Sequence, residues 1–169
     1  MQYTCRYESP LGGILLACDE VGLRGLWFHG QKYFAYGLDP DHEEKNTAVF
    51  ERTKQWLDTY FEGKAPGFTP ALHLIGSDFR ISVWKLLLEI PYGQVETYGT
   101  LAGKLAKQTT PAARAVGGAV GHNKISIIIP CHRVVGANGS LTGYAGGVER
   151  KSALLRLEKD GLTASSSAG

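Results

Sequence analysis

The period of the apolar positions changes about halfway along the chain. Over residues 2–28 they alternate as in strands and are cut by turn residues. Tyr3-Thr4-Cys5-Arg6-Tyr7 predicts one strand, Ile14-Leu15-Leu16-Ala17-Cys18 a second and Leu23 to Phe28 a third. Ser9-Pro10-Leu11-Gly12-Gly13 and Asp19-Glu20-Val21-Gly22 supply the turns. Residues 29–45 are polar and irregular. From Asn46 to Phe61 the spacing becomes helical. Val49, Thr53, Trp56 and Tyr60 share one line, with Phe50, Leu57 and Phe61 beside it, and Gly63 follows as a stop.

A Gly- and Pro-rich stretch over 63–77 reads as a linker, and beyond it the pattern is mainly helical. Ser77 or Asp78 can cap a helix reaching Ile90, with Phe79, Val83, Leu86, Leu87 and Ile90 on its buried side, until Pro91-Tyr92-Gly93 breaks it. Thr97 can cap a short helix from Tyr98 to Ala106. Lys107-Gln108-Thr109 makes a turn, and Thr110-Pro111 starts another helix that runs to about Val120 and ends at Gly121. Two short helices around a tight turn form a helix-turn-helix, a device that places a helix in a DNA groove. Its second helix is poor in side chains: only Arg114 could reach a base, and two mid-helix glycines cost about 1 kcal/mol each relative to alanine. Small residues let a helix backbone come close either to a ligand or to another packed element.

The apolar run Ile127-Ile128-Ile129 predicts a strand leading into Cys131. Gly136-Ala137-Asn138-Gly139-Ser140 and Tyr144-Ala145-Gly146-Gly147 follow as loops. A last helix is expected from Val148 to Glu158, ending before Gly161, with residues 163–169 as a disordered polar tail. The expected fold is therefore α+β: a small N-terminal antiparallel sheet with a helix over 1–70, a mainly helical, winged helix-turn-helix-like domain over 77–161, and a disordered end over 162–169.

Composition narrows the class. The 169 residues are 43% hydrophobic, enough for a real core, and no stretch is long enough to span a membrane. The N-terminus reads as a polar strand rather than a signal peptide, and three cysteines make no disulfide framework. A reducing compartment follows, cytoplasmic, or nuclear in a eukaryote. The net charge of +2 is uneven: residues 1–75 hold 7 Lys/Arg against 10 Asp/Glu, and residues 76–169 hold 11 against 6. A basic second part is the footprint of a polyanion partner, or a chance surface bias.

Candidate chemistry sits in Pro130-Cys131-His132-Arg133-Val134. Thiolate is the nucleophilic form of cysteine, and a basic neighbour promotes it. The expectation is a thiol ionised at neutral pH by its imidazole neighbour. A buried structural thiol and a Cys-His hydrolase remain open on this dipeptide alone. Arg133 fits a salt bridge as well as a DNA contact, and Tyr92 and Trp84 read as core residues. Cys5, Cys18, His29 and His73 match no standard zinc spacing, so no metal and no cofactor are expected.

Three segments in order carry a resemblance: Ala113-Arg114-Ala115-Val116-Gly117-Gly118-Ala119, Ile129-Pro130-Cys131-His132-Arg133-Val134-Val135 and Gly143-Tyr144-Ala145-Gly146-Gly147. Together they resemble the O6-alkylguanine-DNA alkyltransferases, also called methylated-DNA–protein-cysteine methyltransferases. The resemblance covers about residues 77–161 well, and the first part, including Ser9-Pro10-Leu11-Gly12, more loosely. It implies base flipping from duplex DNA and irreversible, single-turnover transfer of an alkyl group from O6 of guanine to a cysteine. It also implies a monomer whose partner is double-stranded DNA carrying O6-alkylguanine.

By motif position the resemblance implies Cys131 as acceptor, His132 as its base through a water, and Glu158 as the carboxylate orienting His132. Asn123 becomes the hinge residue, Tyr98 the hydroxyl that meets the flipped base, and Arg114 the finger that fills the vacated stack. Thr97, Tyr98, Ala112, Ala113, Gly117 and Gly118 would meet DNA through the minor groove. Val120, Val134, Tyr144 and Ala145 would line the base pocket. Lys124 and Ser126 stand where some relatives carry proline, which leaves the accepted alkyl size open. The alternatives are a lesion-binding protein without transfer, which would carry another residue at the acceptor position, and a winged-helix regulator, which would need a base-reading second helix.

Overall fold

The structure, a computed structural model, describes residues 1–106, 113–141 and 143–168, without the side chains of Ala113 and residues 164–168. The alternating N-terminal pattern forms β1 (Gln2–Ser9), β2 (Gly12–Cys18) and β3 (Leu23–Phe28). β1 and β2 form a hairpin in which Tyr3 faces Cys18 and Ser9 faces Gly12, and β2 pairs antiparallel with β3. The irregular stretch holds one strand that its polarity concealed. β4 (His42–Glu44) is exposed and lies parallel to β1, so the sheet order is β3-β2-β1-β4. As an edge strand it bears no core side chain, so alternation could not reveal it.

Helix α1 (Ala48–Phe61) is capped by Thr47, whose side chain accepts the Phe50 N–H, and buries Phe50, Thr53, Trp56, Leu57 and Tyr60. Beyond the linker come α2 (Asp78–Leu87), capped by Ser77, β5 (Glu96–Thr97), α3 (Tyr98–Leu105), capped by Thr97, and α4 (Ala113–Gly121). The expected turn over 107–109 and the Thr110-Pro111 helix start lie outside the described residues. Packing of α2 and α3 against α4 completes the helix-turn-helix, and the Trp84 indole N–H donates to the Ala119 carbonyl at 2.9 Å. Trp84 is thus a core residue that also anchors α4.

Two expectations fail in the C-terminal part. Ile127-Ile128-Ile129 is no strand but a coiled turn, with Ile127 in the left-handed region at φ 71°. The run is apolar because its side chains are buried, not because it joins a sheet. The short strand β6 (Val134–Val135) follows Cys131 instead and pairs in parallel with β5. The last helix does not end before Gly161: α5 spans Val148–Ala168, so the expected disordered tail is helical as far as it is described. Gly161 is no stop but a point of contact, since a Cβ there would collide with the Gly63 carbonyl and the Tyr92 hydroxyl.

One continuous core joins the sheet and α1 to the later helices. Leu16, Phe28, Leu57 and Tyr60 belong to the same buried cluster as Trp84, Val116, Ile127 and Leu154. Among the described residues no helix is long and apolar enough to cross a membrane.

Candidate active site

Cys131 opens a single 3-10 turn, Cys131–Arg133, immediately before β6. Pro130 (φ −83°, ψ 63°) forms an inverse γ-turn, closed by the Cys131 N–H donating to the Ile129 carbonyl at 2.8 Å. The segment before it is tied down by Asn123. Its side-chain N–H groups donate to the carbonyls of Ile129 (2.7 Å) and Ile125 (3.3 Å), and its Oδ1 accepts the Ile125 N–H at 3.0 Å. A β-branched residue in the left-handed region costs about 1–3 kcal/mol. The Asn123 bonds, with Ser126 N–H donating to Leu26 and Leu26 N–H to Lys124, hold Ile127 in that state.

Consecutive residues of the 3-10 turn then point His132 and Arg133 at the same carboxylate. The His132 imidazole and Glu158 are fully buried. Nε2 of His132 lies 2.5 Å from Oε2 of Glu158, so Nε2 carries the proton and Nδ1 is left as the basic nitrogen. Nδ1 has no hydrogen-bond partner among the described residues. Arg133 Nε–H donates to Oε1 of Glu158 at 2.8 Å and its Nη1 donates to the Ile90 carbonyl at 2.7 Å. Arg133 is therefore a salt-bridge partner of Glu158, with only 7% of its surface exposed.

Burial governs the protonation states. It pushes the Cys131 thiol up to about 11, against the opposing pull of the Asn123 amide and the Lys151 ammonium. The thiol is protonated at neutral pH, which corrects the expectation of a resting thiolate: desolvation outweighs the neighbouring imidazole, which is itself neutral. Burial lowers His132 below its ordinary value although Glu158 pulls the other way. Glu158 is held at about 2, because hydrogen bonds and charge from His132 and Arg133 overcome the cost of its own burial. The resting centre is thus thiol, neutral imidazole and carboxylate.

Tyr98 begins α3, half-buried, and burial together with the nearby Cys131 raises its hydroxyl above its ordinary value. Its hydroxyl lies 3.6 Å from where a Cβ on Gly143 would sit. Tyr144 and Ala145 border a cavity of about 340 Å³, together with Lys32, Tyr33, Gly117, Gly118, Gly121, His122 and Gly143. Val120 and Val134 do not border it. Their side chains are buried in the hydrophobic core. Thr97 serves as the α3 cap, accepting the Thr100 N–H at 3.1 Å.

Arg114 is exposed on α4. A Cβ placed on Gly117, Gly118 or Gly121 would meet no atom of the described residues within 4 Å, so packing against those residues does not call for glycine here. Ala113 lies at the start of α4, and Ala112 falls outside the described residues. Cys5 and Cys18 are buried free thiols, and His73 Nδ1 sits 2.7 Å from Asp19. Among the described residues no three His, Cys, Asp or Glu side chains are grouped to hold a metal.

Sequence reasoning missed four participants. Tyr60 was placed on the buried face of a remote helix, yet its hydroxyl donates to Oε2 of Glu158 at 2.6 Å. Gly93 read as a helix breaker, but its N–H donates to Oε1 of Glu158 at 2.9 Å, from a φ of 80° that favours glycine. Lys151, which the sequence reading did not single out, is fully buried and acts electrostatically on Cys131. Lys32 reaches the cavity from the N-terminal part because its N–H donates to the Ala145 carbonyl at 3.0 Å. Only Lys151 had a local signal, its spacing of seven from Glu158 on one helix face.

Comparison with known proteins agrees with this geometry. Residues 2–74 match the ribonuclease-like domain of 6-O-methylguanine DNA methyltransferase, and residues 78–160 match the DNA binding domain of the same family. A methylated-DNA–protein-cysteine methyltransferase of Methanosarcina acetivorans is 45% identical over 92% of this chain and 97% of its own. One from Mycobacterium bovis is 45% identical over 90% of this chain and 89% of its own. The crystal structure of Mycobacterium tuberculosis OGT in complex with DNA superposes with a TM-score of 0.82, at 42% identity, over 94% of both chains. With both halves matched in order and the Cys-His-Glu centre assembled, the chain belongs to the 6-O-methylguanine DNA methyltransferase family.

Proposed function

We infer that this protein repairs DNA by taking an alkyl group from O6 of guanine onto the sulfur of Cys131, once per molecule. The observation that carries the reading is a buried thiol beside an imidazole whose Nδ1 has no partner among the described residues and whose other nitrogen is locked to Glu158. Displacement at an alkyl carbon needs a desolvated thiolate in line with the C–O bond. The proton leaves Sγ for Nδ1 of His132 through a water. The S–C bond forms as the C–O6 bond breaks, and Tyr98 is placed to protonate the departing guanine. Imidazolium then stands against the Glu158 carboxylate, the same logic as a hydrolase triad. The product thioether is inert, so turnover stops there.

A thiol buried this deeply meets only a base brought out of the stack, and unstacking costs a few kcal/mol. The open glycine face of α4 and exposed Arg114 support an approach of helix to minor groove, with Arg114 filling the gap. Thr97, Ala112, Ala113, Gly117 and Gly118 belong to that contact, and Tyr144 and Ala145 to the pocket for the base. The separate matches over 2–74 and 78–160 support a structural first domain and an acceptor domain. A monomer acting on double-stranded DNA with O6-alkylguanine, in a reducing cytoplasm that keeps the three free thiols reduced, completes the reading.

Incubation with a duplex carrying O6-methylguanine tests it by intact-protein mass. A stoichiometric gain of one CH2 on the Cys131 peptide is expected, with no gain in Cys131→Ser, which still binds DNA. Binding without mass gain in the native protein would turn the reading into a lesion binder.

A further inference from the structure

The first domain reaches into the reaction centre through one hydroxyl. Tyr60 lies on α1, 98 residues before Glu158, and is completely buried. Its ring is clamped: Trp56, one turn earlier, stacks on it at 5.3 Å and 8°, and Tyr92 meets its edge at 6.1 Å. The hydroxyl is thereby aimed at Oε2 of Glu158, to which it donates at 2.6 Å, and it passes 3.5 Å from Nε2 of His132.

Glu158 consequently accepts four hydrogen bonds, two at each oxygen: Arg133 Nε–H and Gly93 N–H at Oε1, His132 Nε2–H and Tyr60 O–H at Oε2. Two oxygens offer about four acceptor sites, so the carboxylate is saturated and cannot rotate. Each donor also draws charge from it. A donor shared at the same oxygen as the imidazole weakens the pull of the carboxylate on the imidazolium.

Resting on the transfer reaction proposed above, we propose that Tyr60 is a positioning residue that sets the basicity of His132 through Glu158. It touches neither thiol nor substrate. Other groups bear on the same imidazole. From its own turn come Cys131 and the Arg133 cation, and from α5 the Glu158 anion and the Lys151 cation. Tyr144 faces its ring edge-on at 6.5 Å from the glycine-rich loop. Tyr92 meets the Arg133 guanidinium and the edge of Tyr60, and feels the Glu158 charge. None of these changes when the Tyr60 oxygen alone is removed.

The charge balance gives the sign. Without the Tyr60 donor, Oε2 carries more charge and holds imidazolium more tightly, so His132 protonates at higher pH. The acid limb of the transfer rate, where imidazolium forms and can no longer take the thiol proton, then moves up. The expected shift in Tyr60→Phe is about half to one pH unit, the worth of one hydrogen bond. A 3,5-difluorotyrosine installed at position 60 has the same outline and is a stronger donor, so it should move the limb the other way. This second arm keeps the test open if Tyr60→Phe folds poorly.

Two measurements decide it. Single-turnover rates on an O6-methylguanine duplex from pH 5 to about 9 give the limb. The 15N shifts of the His132 ring give its titration without any transfer, which separates this proposal from the reaction itself. Shifts in opposite directions for the two replacements establish the role. A limb and a ring titration that coincide with those of the native protein, whatever happens to the rate or the melting temperature, would leave Tyr60 a packing residue and overturn the proposal.

Discussion

The reaction centre and the outward face of α4 are built on opposite terms. Around Glu158 every oxygen is bonded and the thiol, imidazole and carboxylate are all within the core. Along Gly117, Gly118 and Gly121 none of the described residues approaches where a side chain would stand. The first region holds charge in a dry place, and a buried carboxylate costs several kcal/mol unless its donors are all present. The second spends helix propensity to keep a backbone bare. Substitutions should therefore be ruinous to stability in the one and harmless to it in the other, while both damage function.

The largest break is expected from Glu158→Gln. It strands the buried Arg133 cation and removes the partner of His132. A loss of about 3–5 kcal/mol in urea unfolding and at least about 100-fold in transfer rate is the expected result. Native stability in this variant would show that the network is decorative. Next comes Gly118→Leu on the open face. Duplex affinity by fluorescence anisotropy should fall roughly tenfold or more, about 1.4 kcal/mol, while the melting temperature stays level or rises, since leucine favours helix. A fall in both would mean that this face is packed after all.

Arg114→Ala sharpens the same contrast. Transfer from duplex should slow by roughly tenfold, because an unfilled gap leaves part of the unstacking cost unpaid, while reaction with free O6-benzylguanine is unchanged. Equal losses on both substrates would remove the flipping role. The smallest effect is in the pH dependence of stability. Glu158 sits at about 2 against an ordinary 4.5, so its contribution is complete above 4.5 and is lost as pH falls toward 2. Cys131 has the opposite sign: raised from 9.0 to about 11, it contributes below 9.0 and is lost as pH rises between these values. Melting scans should show the alkaline loss disappear in Cys131→Ser and the acid loss shrink in Glu158→Gln.

Much was legible before any coordinates. Alternation located β1 to β3, helical spacing located α1, and caps located α2 and α3 within a few residues, because those signals are local. The family resemblance, carried by three motifs, implied Cys131, His132 and Glu158 as one centre, and the structure sets Cys131 and His132 on one turn with His132 bonded to Glu158. Yet Ile127-Ile128-Ile129 misled, since burial and strand formation leave the same apolar trace in one dimension. Gly161 misled for a related reason: glycine ends helices and also lets helices touch, and only the nearness of Gly63 distinguishes the two.

What the sequence alone determined is the set of chemical groups and their local frames: a thiol next to an imidazole, a bare helix, a sheet with its covering helix. Tertiary structure decided the states of those groups. Whether the sulfur rests as thiol or thiolate depends on how much water reaches it, and the donors that hold Glu158 come from α1, from the turn after α2 and from the 3-10 turn. Solvent exclusion and convergence of distant segments are properties of the packed chain, and no spacing along the chain encodes them.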